Sequence, residues 1–330
     1  MKDVAKLAGV SQTTVSFVVN DVPNAGIPED TRQRILSAIE KLGYRPNVFA
    51  KNLRSSRSHI IGFVTDEIAS SPYAGQIIQG AQEVAGAAGK ILFLANTGGN
   101  LEIERKALEA MLAHQVEGII YATMGHREIT PPELLYDASA ILLNCYDSLR
   151  RLPSVTPDEV NSTVVAIRSL LQKGHRRIAF INSVDTGPAV LGRMAGYQQA
   201  LAEYHLPFTE DIVLYGKSRQ DSGYENTLKL MHLPDPPTAI FCFNDQVAMG
   251  AYEALAEMKL SIPGDVAVIG FDNLEIIAAY LRPGLSTMEL PHYEMGQWTV
   301  NFLLEQAAKQ EKPQPVQHTI MCQYIARNSV

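Results

Sequence analysis

Apolar positions in the first 45 residues recur at helical spacing in short blocks, and from residue 60 onward the pattern changes to compact apolar runs alternating with amphipathic stretches. In the first block Val4, Leu7 and Ala8 fall at i, i+3 and i+4, and Gly9 breaks the run. Ser11 then stands where it can cap a second helix by accepting from free backbone N–H groups, with Val10 and Val15 in the staple positions on either side. Projecting 12–20 as a helix gathers Val15, Val18 and Val19 on one side, which must face another helix. The opposite side carries Thr13, Ser16, Phe17 and Asn20, with Gln12 at its N-terminal edge. A third helix is expected over 28–42: Pro28 suits a first turn, Ile35, Ile39 and Leu42 form the apolar stripe, and Gly43 closes it after Lys41.

Beyond Tyr44 the pattern weakens. Pro46 stops what precedes it, Asn47 can cap a short helix to about Leu53, and the Ser/Arg run that follows reads as a linker. An isolated helix of two turns is unstable in water, so this one needs a partner or a ligand to form.

The remainder predicts strands at 60–64, 91–95, 118–121 and 140–145, with helices at 76–88 and 101–114 between the earlier ones. A second series follows, with strands at 178–181, 212–215, 239–243 and 266–271 and helices at 160–173, 190–204, 222–231 and 246–258. Two consecutive β/α series imply an α/β fold with two doubly wound parallel sheets, each covered on both faces. Ligands in such folds sit beyond the carboxyl ends of the strands, so two of these domains facing each other make a cleft.

Charge changes the picture. The chain of 330 residues is 46% hydrophobic, ample for two or three domains, and its net charge of −7 would argue against nucleic acid. The average conceals a split: residues 1–58 hold nine Lys and Arg against five Asp and Glu, the rest nineteen against thirty. A basic head on an acidic body is expected where only the head approaches phosphate. The second helix fits that reading, because short hydrogen-bonding side chains without an acidic residue suit the major groove of DNA.

Cys145, Cys242 and Cys322 are odd in number, far apart and set in apolar runs, which reads as reduced core thiols of a cytoplasmic protein. No apolar run reaches the roughly 18 residues of a membrane span, and the N-terminus lacks a signal peptide's apolar core. The expected protein is soluble and intracellular. Metal-ligand spacing and cofactor motifs are absent from the sequence, as are Walker A, GxSxG and HExxH patterns, so catalysis is not expected.

The segments VAKLAGVSQTTVSFVVN and IEKLGYRPNVFAKNLR, followed by a β/α core, FCFNDQVAMGAYEAL and VIGFDN, resemble the lac-repressor-type (LacI/GalR) family of bacterial transcription regulators over nearly the whole chain. The resemblance implies a homodimeric repressor of palindromic operator DNA. Its core would be periplasmic-binding-protein-like, and its operator affinity would change when a small molecule, expected to be a sugar, enters the cleft. A nucleoside or other metabolite is the alternative effector, and a solute-binding protein the more distant alternative. The implied organisation is a helix-turn-helix domain over 1–45, a hinge helix and linker over 46–58, and a core over 59–330. In the core, one subdomain takes 59–157 and 289–316, and the other takes 158–288 and 317–330.

By the same resemblance, Gln12, Thr13 and Phe17 fall where base-reading side chains are expected, and Thr14, Ser16 and Asn20 where phosphates or the turn are held. Phe17 departs from the Arg or His often found there; without a donor it favours thymine methyls over guanine. The segment 21–27 is about two residues longer than usual, and Pro28 replaces a capping Ser or Thr. Leu53 matches the hinge leucine that wedges into the minor groove, with Asn47, Ala50 and Arg54 around it. Arg193, Asn244 and Asp272 match effector-binding positions, and their donors and acceptors suit a polyol. Tyr73 offers a ring, Asn144 stands where many relatives carry Asp, and Asp245 is expected to cap a helix. Ser218 and Leu290 replace an aromatic platform and a Gln, which disfavours a flat purine. The sequence ends after an apparent terminal strand without a heptad segment, so a dimer is expected in place of a tetramer.

Overall fold

Gly9 ends the first helix, α1 (Lys2–Ala8), by adopting a left-handed φ of 69° that returns its N–H to Ala5 O. Helix α2 (Gln12–Val19) begins at Ser11, whose Oγ accepts from Thr14 N at 3.0 Å. Helix α3 (Glu29–Leu42) starts after Pro28 without a side-chain cap; Glu29 and Asp30 in its first turn offset the positive helix end instead. The structure, a computed structural model, describes residues 1–330 except 21, 24, 45–57, 72–73 and 310–313. It separates into two units, Met1–Ser58 and His59–Val330.

In the first unit Val4, Ala5, Ala8, Val15, Val18, Ile35 and Ala38 form the core, with Val10, Val19 and Ile39 packed at its margin. Two expected stripe residues lie outside it: Leu7 is 52% and Leu42 46% exposed. Spacing alone places Leu7 beside Val4 and Ala8, but the small Ala5 and Ala8 are what fit between the helices, so the buried face turns toward them.

The second unit holds two six-stranded sheets. The first has the order β11–β5–β4–β3–β1–β2, built from β1 (Ile60–Thr65), β2 (Ile91–Asn96), β3 (Ile119–Ile129), β4 (Ala140–Asp147), β5 (Ser154–Asp158) and β11 (Gln317–Met321). The second has the order β12–β10–β9–β8–β6–β7. Its strands are β6 (Ile178–Ser183), β7 (Val213–Gly216), β8 (Ala239–Cys242), β9 (Ala267–Asp272), β10 (Ser286–Glu289) and β12 (Gln323–Ile325). All pairings are parallel except β10 with β12.

Apolar side chains cover both faces of each sheet. Ile61, Phe63, Ile120 and Ile141 pack toward the helices Gly75–Ala87 and His292–Lys309, while Val64 and Leu142 pack toward Leu108 and Met111. Those two helices approach so closely that a Cβ at Gly296 would lie 2.1 Å from Ile77 O. In the second sheet Phe180, Phe241 and Phe271 face the helices Glu159–Gln172 and Pro188–Glu203, and Ile181, Ile240 and Val268 face Asp245–Glu257. All three cysteines are buried free thiols, and burial pushes Cys145 up to about 12.

The chain crosses between the sheets three times: from β5 into the helix Glu159–Gln172, from β10 into His292–Lys309, and at Cys322 between β11 and β12. The third crossing corrects the expected boundary at 316/317, since Gln317–Met321 lies on the edge of the first sheet, paired with β5. Strands β5 and β10 carry no apolar run. Pro157 interrupts one; the other buries Ser286 and Thr287, whose hydroxyls bond to Arg327 N and Asp245 Oδ1.

Candidate DNA-binding face and effector cleft

On α2 the valines turn inward, leaving Gln12 and Thr13 exposed and Phe17 half-buried on the outer side. Phe17 is not among the residues packed on the three-helix core. The Thr14 hydroxyl shares a hydrogen bond with Ser11 Oγ at 2.9 Å, and Asn20 Nδ2 donates to Ser16 O at 2.8 Å and Ser16 Oγ at 3.2 Å. Thr14, Ser16 and Asn20 thus brace the two ends of the helix, whereas Gln12 and Thr13 project from its first turn. That turn carries no acid, so the positive end of α2 faces outward without a counter-charge of its own. Asn47, Ala50, Leu53, Arg54 and Tyr73 lie outside the described residues.

In the second unit the carboxyl ends of the two sheets meet around Arg193. This side chain, 3% exposed, reaches from the helix Pro188–Glu203. Its Nε donates to Glu159 Oε2 at 2.9 Å, Nη1 donates to Phe243 O, and Nη2 lies 3.6 Å from Asp272 Oδ1. The guanidinium carbon sits 3.7 Å from the centre of the Phe271 ring and 4.4 Å from that of Phe243. Asp272 closes β9 with a φ of 106°, a left-handed value that non-glycine residues seldom adopt, and β9 is held in register there by Glu289 of β10. The structure therefore brings Arg193 and Asp272 together.

The cap expected of Asp245 is made by its neighbour Asn244. Asn244 is the helix cap: its Oδ1 accepts from Val247 N at 2.9 Å, while its Nδ2 donates to Ser218 O at 3.2 Å. Asp245 is buried instead, accepting from Thr287 Oγ1 and Leu274 N, each at 2.6 Å. Burial, aided by the nearby Asp272 carboxylate, pushes its carboxyl well above the usual range. The extended backbone at Asn244 sets its amide over the helix start, and Asp245 turns toward the sheet; neighbouring residues of similar capping tendency are distinguished only by that geometry.

Asn144 sits at the end of the first sheet, 3% exposed, with Nδ2 donating to Thr123 O at 3.1 Å and Met124 O at 3.0 Å. It holds together the irregularity where the β3–β4 register shifts between Ala122 and Arg127. Its Oδ1 is buried without a partner among the described residues.

Three side chains that the sequence reading passed over belong to this region. Glu159, 4% exposed at the first turn of its helix, bonds Arg193 and also lies 3.3 Å from His126 Nδ1. Burial works against its ionisation, but Arg193 and His126 outweigh that and hold the carboxyl below its usual range. An ionised carboxylate only accepts, so His126 Nδ1 carries the proton of this contact. His126 extends from β3 of the first sheet, making the contact a bridge between subdomains. Asp66, just past β1, accepts from Met124 N at 2.9 Å and pairs with Arg127 at 2.7 Å. Glu159 stands just before the helix expected over 160–173, and its partner is 34 positions away and carries no local signal.

A polar helix presented by a three-helix head, joined in one chain to two largely parallel sheets that meet around a buried arginine and its aspartate partner, defines a DNA-binding regulator with a periplasmic-binding-protein-like core. Comparison with known proteins gives the same class. Residues 1–47 match the family described as bacterial regulatory proteins, lacI family, and residues 58–328 match the periplasmic binding proteins and sugar binding domain of LacI family. The chain is 33% identical over 310 residues to catabolite control protein A of Priestia megaterium, covering 93% of this chain and 92% of that protein. It is 32% identical over 335 residues to the transcriptional regulator GalR of Salmonella typhimurium, covering 100% and 95%. Among solved structures, the lac repressor dimer bound to operator and the anti-inducer ONPF superposes with a TM-score of 0.82 at 25% identity, covering 99% and 97%. The chain belongs to the lacI family of bacterial transcription regulators, and its second unit is the family's effector-binding core.

Proposed function

We propose that this regulator acts in the cytoplasm as a homodimeric repressor that reads a palindromic operator, and that a sugar or similar polyol in the cleft controls its affinity. The observation that carries the effector reading is the Arg193–Asp272 pair. It sets a guanidinium flanked by aromatic rings beside a partly exposed carboxylate, a donor and acceptor set suited to neighbouring hydroxyls. Asn144 and Tyr73 would complete the site from the first subdomain, and Asn244 from the second. Gln12, Thr13 and Phe17 would read bases, Thr14, Ser16 and Asn20 would support the phosphate contacts, and Leu53 would wedge the minor groove with Asn47, Ala50 and Arg54 beside it. In this arrangement 1–45 is the DNA-binding domain and 46–58 the hinge, and no catalytic step is assigned.

Exposed apolar side chains support the dimer. Ile91 and Phe93 on the edge strand β2, with Leu101 and Ile103 on the following helix, present one apolar margin of the first subdomain; Ile276 and Tyr280 are exposed on the second. Selecting operators from random DNA with the full chain tests the DNA reading: a palindrome bound with a steep inverse dependence on salt is expected. Recovery of no symmetric site, or binding indifferent to salt, would overturn it. A thermal-shift screen of sugars, nucleosides and amino acids tests the effector class, since a ligand of the native state raises Tm. A response to nucleosides alone would refute the sugar assignment.

A further inference from the structure

The charges around Arg193 carry more than the assignment of a cleft. The buried guanidinium meets two carboxylates, Glu159 at 2.9 Å and Asp272 at 3.6 Å, and lies over the rings of Phe243 and Phe271. On the first-subdomain side the Arg127 guanidinium is matched by Asp66 at 2.7 Å. The strand ends that meet here therefore set Glu159, Asp272 and Asp66 against Arg193 and Arg127, with His126 Nδ1 on Glu159, and each guanidinium is engaged within the protein. An anionic ligand entering this region would find both guanidiniums already matched by the protein's own carboxylates, and to gain Arg193 it would have to displace Glu159 or Asp272. Removing one partner from a buried pair strands the other charge in a poorly solvating interior.

We propose that Glu159 is a specificity-determining residue of the cleft: by keeping Arg193 neutralised from within the protein, it restricts the effector to uncharged polyhydroxylated molecules and excludes their phosphorylated or carboxylated counterparts. This rests on the reading of the Arg193–Asp272 region as the effector site. His126, reaching across from β3, is the positioning residue, since its Nδ1 lies 3.3 Å from the second oxygen of the Glu159 carboxylate and fixes the orientation that leaves Oε2 on Arg193. Hydroxyl groups do not require the internal pairs to open. They donate to the partly exposed Asp272 carboxylate and accept from neighbouring N–H groups while the pairs stay closed.

The test uses the full chain and a panel of neutral pentoses, hexoses and disaccharides, each beside its phosphate ester or uronic acid, with Kd measured by calorimetry for the wild type, Glu159→Gln, Glu159→Asp and His126→Gln. In the wild type a neutral member is expected to bind at least tenfold more tightly than its anionic counterpart. Glu159→Gln should narrow that ratio at least tenfold, chiefly by strengthening the anionic counterpart. Glu159→Asp, which retains the charge, should keep the ratio, and His126→Gln should reduce it partway. A purely structural role for Glu159 would weaken both ligands together and leave the ratio unmoved, which overturns the proposal. Tighter binding of an anionic member by the wild type overturns it as well while leaving the effector site intact, and this outcome decides the matter even if Glu159→Gln does not fold. If no member of either class binds, the polyol reading of the site fails, and the present inference with it.

Discussion

Replacing Arg193 with Met would test how the two halves of the effector core are held. The substitution keeps a long apolar stem beside Phe243 and Phe271 but takes the guanidinium away from Glu159, 4% exposed, and from Asp272. Removing one member of a buried pair costs about 3–5 kcal/mol, because the stranded charge loses its compensation. For a domain of this size each kcal/mol lowers Tm by about 2–4 °C, so a loss of roughly 6–20 °C is expected for the core transition in calorimetry. The pH dependence is the sharper readout. In the wild type the folded Glu159 carboxyl lies below its unfolded value, so its contribution is present above that unfolded value and is lost as pH falls through the folded one. Without Arg193, burial dominates and the carboxyl moves up, so protonation relieves the variant before it harms the wild type. The Tm deficit should therefore shrink between pH 7.5 and pH 5. A variant that melted within about 2 °C of wild type, or whose deficit widened on acidification, would refute the claim that Arg193 holds this cluster together.

Ser11→Ala removes the cap of α2 and should destabilise the head by about 0.5–2 kcal/mol, seen as weaker operator binding with an unchanged melting transition of the core. Gly296→Ala sets a methyl against the Ile77 carbonyl, a backbone atom that cannot step aside, so the core should lose most of its thermal stability or its soluble expression. Phe17→Arg should shift operators selected from random DNA toward guanine at one position in each half-site and leave head stability unchanged; an unaltered operator preference would place Phe17 outside base readout. Asp272→Ala should abolish the response to the effector found in the ligand screen while effector-free operator binding stays near wild type, as anisotropy would measure.

The sequence by itself determined the head helices and eight of the core strands with the helices between them, but not β5 or β10, which carry no apolar run. Helix stops at Gly9 and Gly43, the cap at Ser11 and the alternation of apolar runs with amphipathic helices are local features, set by backbone conformation and side-chain period within a few residues. Arg193 and Asp272 were legible only through motifs resembling a known family, since nothing nearby marks either as a ligand group. Their meeting depends on a helix start and a strand end brought together by the fold, and Glu159, the residue that completes the cluster, gave no sign at all. Tertiary structure alone decided which of two adjacent capping residues is buried, Asn244 or Asp245, and which helix face is covered, so that Leu7 and Leu42 lie outside while Ala5 and Ala8 lie within. It also divided the last strand between two sheets at Cys322. The physical reason is common to all of these. Burial, charge pairing and sheet membership are relations between distant segments, fixed by which surfaces fit together once the local elements have formed.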